Sequence, residues 1–221
     1  MIPQWLMRHA FPHPKKIART GSLGPSDFPT DLLVGKTGRR EKVTVLCEVC
    51  NNRWLSQIES RVKPKLLAWM SGLHGSLAVH DQQLIAFWAV KTALMVQLVS
   101  EPAKRVIPMR FYKELHDARD HPPDGMYVWL GLRQARLPGI YYRHRDITKS
   151  LTNMNPRSAF QADLIIHRVL IRVSGVDPPE VLGDIEMPGL LRVWPTTPLL
   201  LHDLSSEARL RRRGTTVWVP G

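Results

Sequence analysis

Cysteine is scarce in this 221-residue chain: Cys47 and Cys50 are the only two, in a Cys-x-x-Cys arrangement. Two thiols cannot form the disulfide framework that stabilises small secreted proteins. Their spacing is instead typical of a metal-binding turn or a redox pair in a reducing compartment. The first residues also lack a charged start followed by an apolar stretch. Together these features predict a cytoplasmic protein without a signal peptide.

Uninterrupted apolar runs are lacking as well. The longest apolar stretch, 84–99, is broken by Lys91, Thr92 and Gln97. It falls short of the roughly 18 consecutive apolar residues that a membrane-spanning helix needs. We therefore expect no membrane partner. With 43% hydrophobic residues, the chain can nevertheless bury a substantial core.

Acidic residues are few compared with basic ones, with 19 Asp and Glu against 31 Lys and Arg and a net charge of +12. Residues 1–66 hold 12 of the basic and 5 of the acidic side chains. Such a surplus favours polyanionic partners, with a merely solubilising surface as the alternative. The sequence therefore indicates DNA or another nucleic acid as the partner.

The chain also lacks the motifs of several enzyme classes. Gly35-Lys36-Thr37 suggests a phosphate-binding loop, but Thr30 stands where the first glycine of that motif is required. The second half of the chain has no paired carboxylates and no Ser/His/Asp arrangement. Nucleotide-driven and serine-hydrolase functions are thus not supported.

The residues around the two cysteines, 43–54, have the pattern of a strand, a turn and a helix start, and we term this segment the knuckle. A β-branched run enters the Cys-x-x-Cys turn. Asn51 and Asn52, which are favourable helix N-caps, then lead into a stretch where Trp54 and Ile58 recur at helical spacing. A strand–turn–helix unit is therefore predicted here.

Upstream, the basic turn 35–40 joins two candidate strands, 31–34 and 41–46. A hairpin of this kind, followed by the knuckle helix, gives the order β, β, α. Cations on a hairpin turn suit contacts to the phosphate backbone, which add affinity without reading sequence. The residues that we expect to make such contacts are Lys36, Arg39, Arg40, Lys42 and Arg53.

Cys47 and Cys50 can bind one Zn²⁺ through two thiolates, at about 2.3 Å each. They supply half of a tetrahedral site, and the soft ligands nearest in the sequence are His9 and His13. Two alternatives remain open for the pair, a thioredoxin-like redox centre and two inert buried thiols. For His9 and His13 the alternative is a solvated loop, since Pro12 and Pro14 keep that stretch irregular.

At these residues the chain resembles the HNH endonucleases, whose core is a ββα-metal unit. Leu-Cys-x-x-Cys-Asn followed by a helix is similar to the end of that core, and Ile2-Pro3-Gln4-Trp5-Leu6 is similar to the continuation of a Glu-His-Val-Ile-Pro-Gln-Trp-Leu motif. The likeness spans about the first hundred residues. The further segments that carry it are 50–56, Glu59, 63–66, 81–82 and 88–93.

The resemblance implies metal-dependent hydrolysis of DNA phosphodiester bonds. Asn51 or Asn52, at the helix start, would ligate a divalent ion such as Mg²⁺ or Mn²⁺, and His9 would replace the motif histidine as general base. In the family, the Glu-His pair and a first Cys-x-x-Cys would precede Met1. We therefore expect either a start further upstream or a shortened, catalytically impaired relative. The alternative function is a non-catalytic, zinc-stabilised nucleic-acid-binding module, and a third is a structural protein whose sheet mediates assembly.

The overall prediction is an α+β fold with an HNH-like ββα knuckle region in 1–70, a helical segment in 71–120 and a mainly β part in 121–221. The helix after the knuckle is expected either to be interrupted at Pro64 or to begin its next segment there. It is followed by helices 82–99, capped by Asp81, and 110–119. The predicted strands of an antiparallel sheet are 126–130, 139–142, the run 160–173, 190–194 and 215–219.

Two features of this sheet are candidates for binding. The basic-aromatic cluster 141–145 has the composition of a surface that stacks bases or grips phosphates. Half-buried strand aromatics with exposed arginines explain the same pattern. His167 is predicted to lie on a sheet face.

Overall fold

In the computed structural model of the protein, the described residues are 3, 5–6, 54–72, 76–99, 105–132, 140–149, 151, 156–179, 187, 189–195 and 202–203. Within them, the elements in chain order are α1 Ser56–Met70, β1 Ser76–Leu77, α2 Val79–Val99, α3 Met109–Ala118, β2 Met126–Leu132, β3 Ile140–Asp146, β4 Ser158–Ile166, β5 Val169–Asp177, β6 Leu191–Trp194 and β7 His202–Asp203. Helices and an antiparallel sheet occur together, so the predicted α+β class is confirmed. The predicted strands 31–34, 41–46 and 215–219 lie outside the described residues.

Among the described residues, five strands form the main sheet in the order β3-β4-β5-β2-β6, and every neighbouring pair is antiparallel. β1 and β7 pair separately as a short antiparallel ribbon. Most residues of β2, β4 and β5 are apolar and almost all are buried, as is typical of strands that are covered on both faces. The predicted strands 126–130, 139–142 and 190–194 are thus confirmed, with small shifts at their ends.

β4 and β5 correct the prediction for the run 160–173. They form a hairpin of two nine-residue strands, and His167 lies in the two-residue turn between them. Its φ of 53° is the left-handed conformation that tight hairpin turns require. His167 therefore belongs to a turn and not to a sheet face, although its side chain is buried.

Helix α2 is the buried centre of the fold. It packs on the face of the sheet formed by β2, β4, β5 and β6, and every residue from Leu84 to Leu98 is buried. The predicted central helix is confirmed, but it begins at Val79 and not at Gln82. Asp81 lies in its first turn, where the carboxylate is hydrogen-bonded to Lys65. None of the helices in the described ranges is long and apolar enough to cross a membrane.

Helix α1 runs through Pro64 without interruption, contrary to the prediction. Proline lacks the N–H that would bond to the carbonyl of Ser60, one turn earlier. Both residues are exposed, so water can take the place of the missing donor. The opposite face of α1 carries its buried residues, Ile58, Val62, Leu66, Trp69 and Met70.

Helix α3 confirms the predicted segment 110–119 to within one residue. Arg119 caps its C-terminal end, and the φ of 63° at this residue is the left-handed conformation common after helices. Phe111 packs edge-on against Phe160 of β4, with the ring centroids 5.8 Å apart. Buried residues of the three described helices and of the main sheet form one continuous hydrophobic cluster.

Gly175 of β5 is required by this packing. A Cβ at this position would lie 2.2 Å from the ring of Phe160, its cross-strand neighbour on β4. The absent side chain therefore leaves the space that the Phe160 ring fills beneath α3.

Candidate functional site

The residues predicted from the sequence to form the site lie outside the described part of the chain. They are the catalytic candidates His9, Asn51 and Asn52, the zinc ligands Cys47 and Cys50, and the phosphate contacts Lys36, Arg39, Arg40, Lys42 and Arg53. The described residues themselves contain no group of three or more His, Cys, Asp and Glu side chains that could hold a metal ion. The metal sites therefore stay predictions.

The helix at the end of the knuckle is described from Trp54 onward. Trp54 and Leu55 form a π-helical turn that runs directly into α1. Leu55, at the N-cap position, has helical backbone angles, and its apolar side chain makes no cap hydrogen bond. Trp54 packs against Phe87 of α2, with the ring centroids 5.9 Å apart. Trp54, the last residue of the knuckle, is thus packed against the buried core.

The beginning of the chain also contacts α1. The ammonium of Lys63 lies 5.8 Å from the centroid of the Trp5 ring, a cation–π contact. Leu6 is fully buried in the same hydrophobic cluster as Val62. The N-terminal segment and the knuckle helix, about fifty residues apart in the sequence, are therefore neighbours in space.

Two ion pairs hold α1 against α2. Lys65 donates to the carboxylate of Asp81 at 2.6 Å, and Lys91 donates to that of Glu59. The Lys91 side chain is 3% exposed and that of Glu59 is 25% exposed. Burial lowers the pKa of Lys91, while the Glu59 charge and hydrogen bond partly offset this effect. Glu59 thus holds two helices together and is not a free surface carboxylate.

A second polar cluster lies on the face of the sheet opposite α2. The antiparallel register places Arg143 of β3 beside Asp163 of β4, which in turn lies beside Arg172 of β5. Arg172 donates from Nε to Asp163 Oδ1 at 2.7 Å and from Nη2 to Oδ2 at 3.0 Å. Arg143 donates to the same Oδ2 at 3.1 Å. One carboxylate therefore anchors two guanidinium groups in a fixed geometry.

The adjacent row of the sheet extends this cluster. Arg145 of β3 donates from Nη2 to Gln161 Oε1 at 3.2 Å, and the amide nitrogen of Gln161 lies 3.2 Å from Asp163 Oδ2. Burial, followed by the charge of Arg143, lowers the pKa of Arg145. We term Arg143, Arg145, Gln161, Asp163 and Arg172 the arginine cluster. Its formal charges sum to +2.

Apolar and aromatic side chains surround the arginine cluster. Tyr127 and Trp129 of β2 stack with their ring centroids 5.9 Å apart. They pack with Ala159 and Val176, and the half-buried residues that pack against this second hydrophobic cluster are Ile147, Leu151, Met187 and Leu190. The arginine cluster contains one carboxylate and no nucleophile, and its guanidinium groups are of the type that pairs with carboxylates and phosphates.

Sequence reasoning singled out Arg143 and Arg145 but missed Gln161, Asp163 and Arg172. The sequence did offer one signal for Gln161 and Asp163. They are two residues apart in a strand that is otherwise apolar apart from Ser158, and residues two apart in a strand lie on the same face of the sheet. The hairpin register that brings Arg172 to Asp163 depends on the turn at His167, which the sequence does not mark with Asn-Gly or Asp-Gly.

Comparisons of the chain with protein-family models, with curated proteins and with solved structures found no match.

Proposed function

We propose that this protein is a metal-dependent endonuclease of HNH type that hydrolyses phosphodiester bonds in DNA. The proposal starts from the sequence resemblance. One structural observation supports it: residues that carry the resemblance contact one another in pairs. The pairs are Trp5 with Lys63, Glu59 with Lys91, and Lys65 with Asp81.

These contacts join segments that are distant in the sequence. Trp5 belongs to the segment that resembles the end of the active-site motif, and Lys63 belongs to the helix after Cys-x-x-Cys. In a ββα-metal core, the motif and this helix must adjoin, because together they supply the base and the metal ligand. The packing of Trp5 on α1 is what such a core requires.

The donor atoms near the start of α1 suit the two predicted metals. The amide oxygens of Asn51 and Asn52 are hard ligands, whereas the Cys47 and Cys50 thiolates are soft ligands typical of zinc. A divalent ion held at the asparagines would stabilise the charge on the scissile phosphate and on the leaving oxygen. In this proposal, His9 accepts the proton of the attacking water.

The charge distribution suits the substrate. The knuckle and hairpin lie in the part of the chain where basic side chains most exceed acidic ones. Lys36, Arg39, Arg40, Lys42 and Arg53 would neutralise backbone phosphates on either side of the cut.

The test is nicking of supercoiled plasmid by the full chain with Mg²⁺, with Mn²⁺ or with EDTA. We expect nicking that requires the metal and is lost in the Asn51→Ala/Asn52→Ala double variant. Lys113→Gln is the matched control, since Lys113 is an exposed cation on α3 with no part in the proposed site. His9→Ala then tests the base.

A different outcome supports the second candidate. If the chain binds DNA in a salt-sensitive manner but never nicks it, the protein is a zinc-stabilised nucleic-acid-binding module. The basic surplus of residues 1–66 favours binding even without a functional base. A chain that neither nicks nor binds DNA would exclude both functions.

A further inference from the structure

The sulfur of Met187 contacts the most deeply buried arginine of the arginine cluster. Arg172 Nη1 lies 3.3 Å from Met187 Sδ and donates a hydrogen bond to it. The same guanidinium group is bound through Nε and Nη2 to the two carboxylate oxygens of Asp163, and Arg172 is only 7% exposed. The direction in which Nη1 donates is therefore fixed, and it points at the thioether.

A thioether is a poor partner for a buried guanidinium group. The sulfur of methionine is a weak hydrogen-bond acceptor, whereas the Asp163 oxygens are charged and strong ones. Nε and Nη2 of Arg172 thus bond to strong acceptors, and Nη1 bonds to a weak one. An oxygen atom attached to the sulfur would give Nη1 a strong acceptor close to the same position.

The surroundings of Met187 allow this change. The residue is half-buried, so part of it is open to solvent. It packs against the second hydrophobic cluster, which contains Tyr127 and Trp129, on the face of the sheet opposite α2. Oxidation would therefore place a polar oxygen beside aromatic rings, where it needs a hydrogen-bond donor. Arg172 supplies that donor.

We propose that Met187 is a site of reversible oxidation by peroxides, and that Arg172 holds the methionine sulfoxide that forms. The sulfur donates an electron pair to one oxygen of hydrogen peroxide, so that an S–O bond forms and the O–O bond breaks. The second oxygen leaves as hydroxide and takes the proton of the transferred OH group to become water. The sulfur loses two electrons, and the peroxide gains them.

The contact with Arg172 also determines the configuration at sulfur. A thioether sulfur has two lone pairs, and oxidation at one or the other gives opposite sulfoxide epimers. Nη1 covers one side of the Met187 sulfur, so the peroxide reacts from the other side. Rotation about the flexible Cγ–Sδ bond then turns the new oxygen toward Nη1. Met187 should therefore give mostly one epimer.

The other methionines of the described residues serve as references. Met109 on α3 is 70% exposed, whereas Met70, Met95 and Met126 are at most 7% exposed. In the folded protein, Met187 should react more slowly than Met109 but faster than the three buried residues. Met109 should give both epimers in similar amounts, because solvent reaches its sulfur from both sides.

The experiment oxidises the full chain with dilute hydrogen peroxide, once folded and once unfolded in urea. Mass spectrometry of the methionine peptides measures the extent of oxidation at each position. Treating the peptides with MsrA or with MsrB, which reduce opposite epimers, gives the epimer ratio. We expect one epimer at Met187 in the folded protein and both epimers at the same residue in urea.

Met187→Leu is the matched variant for stability, since leucine keeps the volume and apolar character and removes the sulfur. Oxidation should lower the melting temperature of wild type and of this variant equally, to within about 2 °C, because Arg172 satisfies the new oxygen. A sulfoxide without a donor beside the aromatic rings would instead lower the wild-type value by roughly 2–4 °C more.

The results that would overturn the proposal are distinct. If Met187 stays unoxidised after Met109 has reacted completely, Met187 is not an oxidation site. Equal amounts of both epimers at Met187 in the folded protein, or the larger fall in melting temperature, would mean that Arg172 does not direct or hold the sulfoxide. None of these measurements involves DNA, so their failure leaves the proposed endonuclease function untouched.

Discussion

Lys91, at the centre of the buried helix α2, donates a hydrogen bond to the carboxylate of Glu59 on α1. A lysine that is 3% exposed in an apolar helix would otherwise carry a large desolvation cost. The pair thereby fixes the helix that follows the knuckle against the core of the protein. It also makes the stability of this junction depend on one buried charge.

Replacing Glu59 and replacing Lys91 should lower the free energy of unfolding by different amounts. Glu59→Gln leaves the buried lysine without its counter-charge, and we expect it to lower the free energy of unfolding by about 3 kcal/mol. Lys91→Met places an apolar side chain of similar length in the core and leaves Glu59 partly hydrated. It should cost about 1 kcal/mol or less. Urea denaturation of both variants and of the double variant provides the comparison, and equal losses would contradict the argument.

The same lysine should give the protein a measurable pH dependence. Its pKa in the folded protein lies below the ordinary value of 10.5, so the unfolded chain binds more protons between the two values. Stability contributed by this group therefore rises with pH up to about 10.5. The difference in unfolding free energy between wild type and Lys91→Met, measured from pH 7 to pH 10, should grow in favour of wild type. A constant difference would mean that burial does not shift this pKa.

The carboxylate in the arginine cluster should be essential to the sheet. Asp163→Asn leaves Arg172, which is 7% exposed, without its counter-charge, and should cost about 3–5 kcal/mol. The control is Arg157→Ala, which removes an arginine whose ion pair with Asp177 lies at the surface, with the arginine side chain 74% exposed. That change should stay within about 0.5 kcal/mol of wild type. Similar losses in the two variants would show that burial does not strengthen the dependence on the ion pair.

Gly175→Ala should destabilise the protein by about 1–3 kcal/mol, because the added methyl group meets the Phe160 ring. Phe160→Leu in the same chain should recover part of this loss by vacating the space. A double-mutant cycle measured by thermal unfolding gives the coupling between the two positions. Strictly additive effects would show that the two side chains do not compete for one volume.

Cys47→Ser tests the zinc prediction directly. The purified full chain should carry about one zinc ion per molecule, and the variant should lose it and melt at a lower temperature, since metal binding and folding are coupled. Elemental analysis and calorimetry measure the two effects. A metal-free wild type with an unchanged melting temperature in the variant would favour the redox or inert-thiol interpretation.

The sequence predicted the elements whose local pattern is strong. Helix α2 was evident from the apolar run 84–99, and β2 from Met126–Leu130, because each pattern is dictated by burial alone. The prediction of a helix break at Pro64 was wrong, because the cost of proline in a helix depends on whether the carbonyl that loses its N–H partner is solvated. The pairs Glu59–Lys91 and Asp163–Arg172 were not predictable, because they arise from helix packing and strand register, which no local window contains.

The order of the strands has a consequence for the protein during its synthesis. β2 lies between β5 and β6 in the sheet, and both of these partners follow it in the chain. All seven of its residues are buried in the folded sheet. A ribosome adding roughly 5–20 residues per second must still make the segment from Leu132 to Val169 before the first partner begins to appear. For several seconds, the nascent chain therefore exposes an unpaired, apolar strand, and we expect chaperone binding during translation to concentrate on Met126–Leu132.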